Sequence, residues 1–123
     1  MSTQSGMKVY SEAETTARLA KELPAWRLDA GTIRRTYKTG GWRATLMLVN
    51  TIGHLAEAAW HHPDLAVSYA KVVVKLSTHD AKGITDRDFA LAEKIEAVVM
   101  WQPGKEGKGL DGAPADADYI FFE

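Results

Sequence analysis

Cysteine is absent from the 123 residues, which removes disulfides, thiol catalysis and thiolate metal sites together. Its absence also fits a reducing compartment. Long apolar runs are missing: nothing approaches the roughly 18 consecutive apolar residues of a membrane span. The first residues lack the basic-then-apolar pattern of a secretory signal. A cytoplasmic protein with no membrane partner is the expectation. No excess of one charge exists either, since the formal net charge is −1, so no global field draws the chain to nucleic acid. Arg34, Arg35, Lys38 and Arg43 cluster only as far as a solvated face would require. Familiar catalytic frameworks are also lacking. There is no Gly-x-Ser-x-Gly elbow, Gly40-Gly41 is too short for a phosphate loop, and no His-Glu-x-x-His run occurs.

What remains has the length of one compact domain. Ser11 followed by Glu14 is the signature of a capping box opening a helix, with Pro24 marking its end. Trp26 to Leu28 and Thr32 to Lys38 predict two short strands, with Asp29-Ala30-Gly31 as a three-residue hairpin loop. After Gly40-Gly41, helical spacing of apolar residues runs from Trp42 to about Trp60, stopped by the extended geometry that Pro63 imposes on His62. The apolar arc of this helix is wider than a single core-facing stripe needs. Either the helix is deeply buried, or it packs on the core and on a second subunit. Leu65 to His79 is rich in β-formers, with Val72, Val74 and Leu76 on one face and His79 in the opposite parity. Thr85 and Asp88 form a second capping box, and Phe89, Ala92, Ile95 and Val99 mark a helix to about Trp101. The order helix, strand, strand, helix, strand, strand, helix predicts an α+β fold: α-β-β-α-β-β-α, a four-stranded largely antiparallel sheet with helices on one face.

Residues 1–101 read as the domain and 102–123 as a Gly/Pro/charged C-terminal tail. The tail ends in the apolar Tyr119-Ile120-Phe121-Phe122. These residues either pack back on the chain or dock on a neighbour.

Three of the four histidines, His54, His61 and His62, fall within nine residues. Asn50, His54, Glu57 and His61 are spaced to share one helix face. A helix C-terminus favours a cationic imidazole, and Glu57 one turn earlier adds to that bias. His61 would then be able to hold and deliver a proton. The plainer alternative is a surface Glu–His pair. A metal site of His54, Glu57, His61 and His79 is a further alternative, opposed by the need for a metal-bound imidazole to be neutral. Asp88 has the plain reading of a helix cap, and Trp26 that of a packing aromatic.

Taken together, Glu57, His61-His62-Pro63, Tyr69, Leu76-Ser77-Thr78-His79 and the stretch from Gly83 to Asp88 resemble the signature of the pterin-4a-carbinolamine dehydratase (DCoH-like) family. The resemblance extends over about residues 11–101, including Leu23-Pro24-Ala25-Trp26. It implies dehydration of a 4a-hydroxytetrahydropterin with no metal and no other cofactor. It also implies His61 and His79 as acids, His62 chiefly in pterin binding, Glu57 orienting His61, and Asp88, Trp26 and Pro63 lining the pocket. A small-molecule pterin and further copies of the chain are the implied partners, the copies joining as a homodimer or homotetramer through sheet edges and the 42–60 helix. Some relatives on this fold are binding proteins, namely transcription-factor dimerisation cofactors or assembly chaperones, which is the competing expectation.

Overall fold

The computed structural model describes residues 7–117 and 122–123. The chain runs α1 (Glu12–Glu22), β1 (Arg27–Asp29), β2 (Thr32–Lys38), α2 (Trp42–Ala59), β3 (Asp64–Ser68), β4 (Lys71–Leu76) and α3 (Asp86–Val99), with short 3-10 turns at His79–Ala81 and Pro103–Lys105. The four strands form one sheet in the order β1-β2-β4-β3, antiparallel at every step. This is the α+β architecture expected.

Alternation within the strands builds the core. Ile33, Arg35 and Tyr37 of β2 pair with Leu76, Val74 and Val72 of β4. All six are buried, so this sheet face carries the helices and the opposite parity faces outward. Leu48 and Ile52 of α2 and Phe89, Ala92 and Ile95 of α3 complete the same core.

Arg35 is the exception in that apolar row, and at 8% exposed it requires a partner. Glu96 of α3 supplies it, accepting from Arg35 Nε at 3.0 Å and Nη2 at 3.2 Å. Trp26 Nε1 and Tyr37 Oη also donate to Glu96 Oε1, at 3.0 and 2.7 Å. Burial alone would raise the Glu96 carboxyl, but these donors outweigh it and hold the group below its ordinary range. Burial and the neighbouring Glu96 carboxylate push the Tyr37 phenol well above its usual range.

The capping boxes form as expected, Ser11 with Glu14 and Thr85 with Asp88. Three boundaries differ. Asp29 pairs with Thr32, so the first hairpin loop has two residues, not three. Ala30 and Gly31 both take positive φ, 50° and 79°, the pairing that matches strand twist in a two-residue turn. Second, β4 ends at Leu76, and His79 begins a 3-10 turn, so strand parity does not decide where its side chain lies. Third, α2 ends at Ala59, before the proline acts. Trp60 is left-handed at φ 52°. The N–H of Trp60 reaches Glu57 O, and the N–H of His61 reaches back to Ala56 O at 3.1 Å, the double closure of a Schellman turn.

The tail does not run free among its described residues. Trp101 Nε1 donates to Glu106 Oε2 at 2.9 Å. Phe122 packs against the core, and Glu123 N–H donates to Lys38 O at 3.0 Å. Tyr119, Ile120 and Phe121 lie outside the described residues.

Candidate active site

The Schellman turn decides the site. Had α2 continued, His61 would extend the Asn50–His54–Glu57 stripe and meet Glu57. The left-handed residue at Trp60 turns the chain before His61 instead. The imidazole of His61 is directed to α3, where its Nε2 lies 2.6 Å from Asp88 Oδ1. His62 comes back to Glu57, with Nε2 2.8 Å from Oε1. The expected Glu57–His61 pair is therefore replaced by two pairs, Glu57–His62 and His61–Asp88.

The two pairs differ in environment. The side chain of His61 is 13% exposed and that of Asp88 is fully buried, whereas His62 and Glu57 are 53% and 69% exposed. A charge-assisted contact at 2.6 Å out of water is the stronger of the two, while the outer pair is bathed in solvent and adds little to stability.

Asp88 is held from both sides. Its Oδ2 accepts from Thr78 Oγ1 at 2.8 Å and from Thr85 N at 3.0 Å, and the two threonine hydroxyls touch at 2.7 Å. Asp88 is thus both a helix cap and the partner of a histidine. Its sequence position could not separate these duties, and the structure gives it both. Thr78 carries no chemical signal of its own in the sequence; the single hint is its place immediately before His79. Because Thr78 touches Asp88, His79 follows one residue from the carboxylate that holds His61. His79 itself is exposed. Pro63 is half-buried directly after His62.

Other residues are not brought to this centre. Trp26 is 3% exposed and engages Glu96, eight residues further along α3 than Asp88, a rise of about 12 Å. Tyr69 sits in the two-residue β3–β4 turn, 70% exposed. Its ring lies beside Gly41, whose φ of 153° is a conformation that residues with side chains rarely adopt. His54 is exposed on α2. Among the described residues no three His, Asp or Glu side chains converge as a metal-ligand set. A cavity of about 600 Å³ lies between Met47 and Thr51 of α2, Val98 and Trp101 after α3, and Phe122. It occupies the opposite end of the antiparallel α2–α3 pair from His61 and Asp88, and so lies away from this chemistry.

An antiparallel sheet backed by helices, with a buried histidine–carboxylate contact joining two helix ends and an exposed histidine–carboxylate pair beside it, defines a small α+β domain with a candidate acid–base site. Residues 8–98 match the model of the pterin 4 alpha carbinolamine dehydratase family. A protein of Aquifex aeolicus named "Putative pterin-4-alpha-carbinolamine dehydratase" is 46% identical over 93 residues, covering 76% of this chain and 93% of the relative. A Chloroflexus aurantiacus protein of the same name is 43% identical over 93 residues, covering 76% and 99%. The crystal structure of a transcriptional coactivator/pterin dehydratase from Brucella melitensis superposes with a TM-score of 0.67 at 27% identity, covering 74% of this chain and 98% of that one. The chain belongs to the pterin-4a-carbinolamine dehydratase family.

Proposed function

We propose that this chain dehydrates a 4a-hydroxytetrahydropterin to the quinonoid dihydropterin and water, the step that returns oxidised pterin to the recycling of a tetrahydropterin cofactor. The observation that carries the reading is the buried 2.6 Å contact between His61 and Asp88, an imidazole oriented by a carboxylate at the edge of solvent. Imidazole is the side chain best suited to exchange protons near neutral pH.

The reaction needs a proton delivered to the 4a-hydroxyl, cleavage of the C4a–O bond with departure of water, and transfer of the N5 proton to solvent as the C4a–N5 double bond forms. His61 and His79 act on the hydroxyl as acids. His62, held by Glu57, binds the pterin, Pro63 borders the pocket, and Asp88, fully buried, acts from behind His61 and does not line the pocket as expected. No metal or redox cofactor enters the balance. Turnover of 4a-hydroxytetrahydropterin by the purified chain tests the reading. His61→Ala and His79→Ala are each expected to lower it, and unchanged rates in both would overturn the assignment.

Exposed apolar side chains support self-association. Trp42 and Leu46 of α2 are 49% and 42% exposed, and Val67 on the edge strand β3 is 43% exposed. Pairing at a sheet edge and through α2 would cover them. Sedimentation equilibrium distinguishes dimer, tetramer and monomer. The coactivator half of the Brucella melitensis protein's description suggests a second, non-enzymatic duty, and a chain that binds a partner but turns over no pterin would favour it.

A further inference from the structure

We propose that Thr78 and Thr85 are positioning residues that fix the proton of His61 on Nε2 and so leave Nδ1 as the nitrogen that exchanges protons with substrate. This rests on the reading of His61 as an acid–base group and adds to it the working atom and the groups that select it.

The direction of each hydrogen bond follows from counting protons. A threonine hydroxyl has one proton to donate. Thr78 donates its proton to Asp88 Oδ2 at 2.8 Å. In the 2.7 Å contact between the hydroxyls, Thr85 is therefore the donor and Thr78 the acceptor. Thr85 Oγ1 in turn accepts the backbone N–H of Arg87 at 3.3 Å. The chain runs one way, from Arg87 N–H through Thr85 and Thr78 to Asp88. The backbone N–H of Thr85 adds a second donor to the same carboxylate oxygen at 3.0 Å.

With Oδ2 supplied twice, Oδ1 is the oxygen turned to His61, and an ionised carboxylate oxygen only accepts. The group opposite it at 2.6 Å is then Nε2–H. Thr78, Thr85 and Asp88 are 1%, 0% and 0% exposed, so water does not substitute for any of these donors. Nδ1 has no hydrogen-bond partner among the described residues and is not one of their buried unpaired polar atoms, so it is open to solvent. In the neutral ring Nδ1 carries the lone pair; in the charged ring it carries the deliverable proton.

Helix capping does not account for this arrangement. The cap requires only Thr85 and Asp88. Thr78 stands outside α3, in the segment following β4, and its buried hydroxyl touches both cap side chains without itself capping a backbone N–H of the helix. Its contribution is to the orientation of the carboxylate.

The test is the tautomer of His61, read from ¹⁵N shifts of the ring nitrogens in labelled protein together with kcat and KM. The wild-type neutral ring is expected to show a protonated Nε2 and a bare Nδ1. Thr78→Val keeps the volume and removes the hydroxyl. It should mix the tautomers and lower kcat by about tenfold to a hundredfold with KM within about twofold, and Thr78→Ser should restore both. A wild-type ring protonated on Nδ1, or a folded Thr78→Val protein with unaltered ring shifts and kcat, overturns the proposal. If Thr78→Val does not fold, the wild-type spectrum and the Thr78→Ser variant decide alone. Since the ring shifts need no turnover, an Nε2–H ring in an inactive protein would sink the dehydratase reading and the catalytic role of Nδ1 with it, and leave only the tautomer set by Thr78 and Thr85 standing.

Discussion

His62 Nε2 meets Glu57 Oε1 at 2.8 Å, although four residues and a helix end lie between them. The contact exists because the left-handed Trp60 reverses the chain before the two histidines. The same reversal frees His61 for Asp88. A pair of adjacent histidines is thereby divided between an outer, solvated partner and an inner, buried one.

Replacing the outer partner should affect binding more than stability. Glu57→Gln removes a charge from an exposed pair, so unfolding free energy should change by less than about 1 kcal/mol. If His62 holds the pterin, KM rises while kcat stays within a few fold. Denaturant titration and steady-state kinetics check the two parts separately.

Asp88→Asn should affect both. The amide retains the volume but cannot accept from Thr78, Thr85 N and His61 at once. We expect a loss of about 1–3 kcal/mol from a buried, multiply bonded group and a fall in kcat of about 10²–10⁴. Thermal unfolding and turnover measure the two effects.

Trp60 is the bulkiest residue with a positive φ, 52°, in a turn position that ordinarily takes Gly or Asn. Trp60→Gly should relieve about 1 kcal/mol of backbone strain. Its indole is 75% exposed, so little packing is lost in the single chain. A rise in the midpoint of urea unfolding is the expected outcome; a fall would show that the packing of the indole, including its edge-to-face contact with the His62 ring, outweighs the strain.

Acid should weaken the core through Glu96. Its carboxyl is held below the ordinary range despite burial, so its stabilising contribution is present above that range and is lost as pH falls through the folded-state value. Glu96→Gln should flatten the acid limb of a stability–pH profile. The substitution also leaves Arg35, 8% exposed, with weaker acceptors, and should cost about 1–3 kcal/mol at neutral pH.

Removing residues 102–123 should leave turnover within about twofold, because the tail borders the cavity at the far end of the α2–α3 pair and not the His61–Asp88 contact. It should increase binding of an apolar dye, since Met47, Val98 and Trp101 lose their cover. A large loss of turnover would place the tail in the catalytic assembly.

Local chemistry made much of this protein legible in its sequence. Both capping boxes, the strand alternation of Val72, Val74 and Leu76, and the long apolar arc of α2 follow from interactions between residues a few positions apart. The family signature made Glu57, His61, His62, His79 and Asp88 visible as a group. The partnerships within that group were not visible, because they depend on where α2 stops. Helical spacing aligned Glu57 with His61, and the proline suggested an end at His62, but one left-handed residue ended the helix earlier and exchanged the partners. The duty of Trp26 was hidden for a similar reason: its acceptor, Glu96, lies 70 positions away. Thr78 stood inside the matching stretch Leu76-Ser77-Thr78-His79 with no role of its own, since a threonine acquires meaning only when a buried carboxylate folds against it. Sequence periodicity determined the elements and the candidate residues; tertiary packing alone decided which imidazole faces which carboxylate.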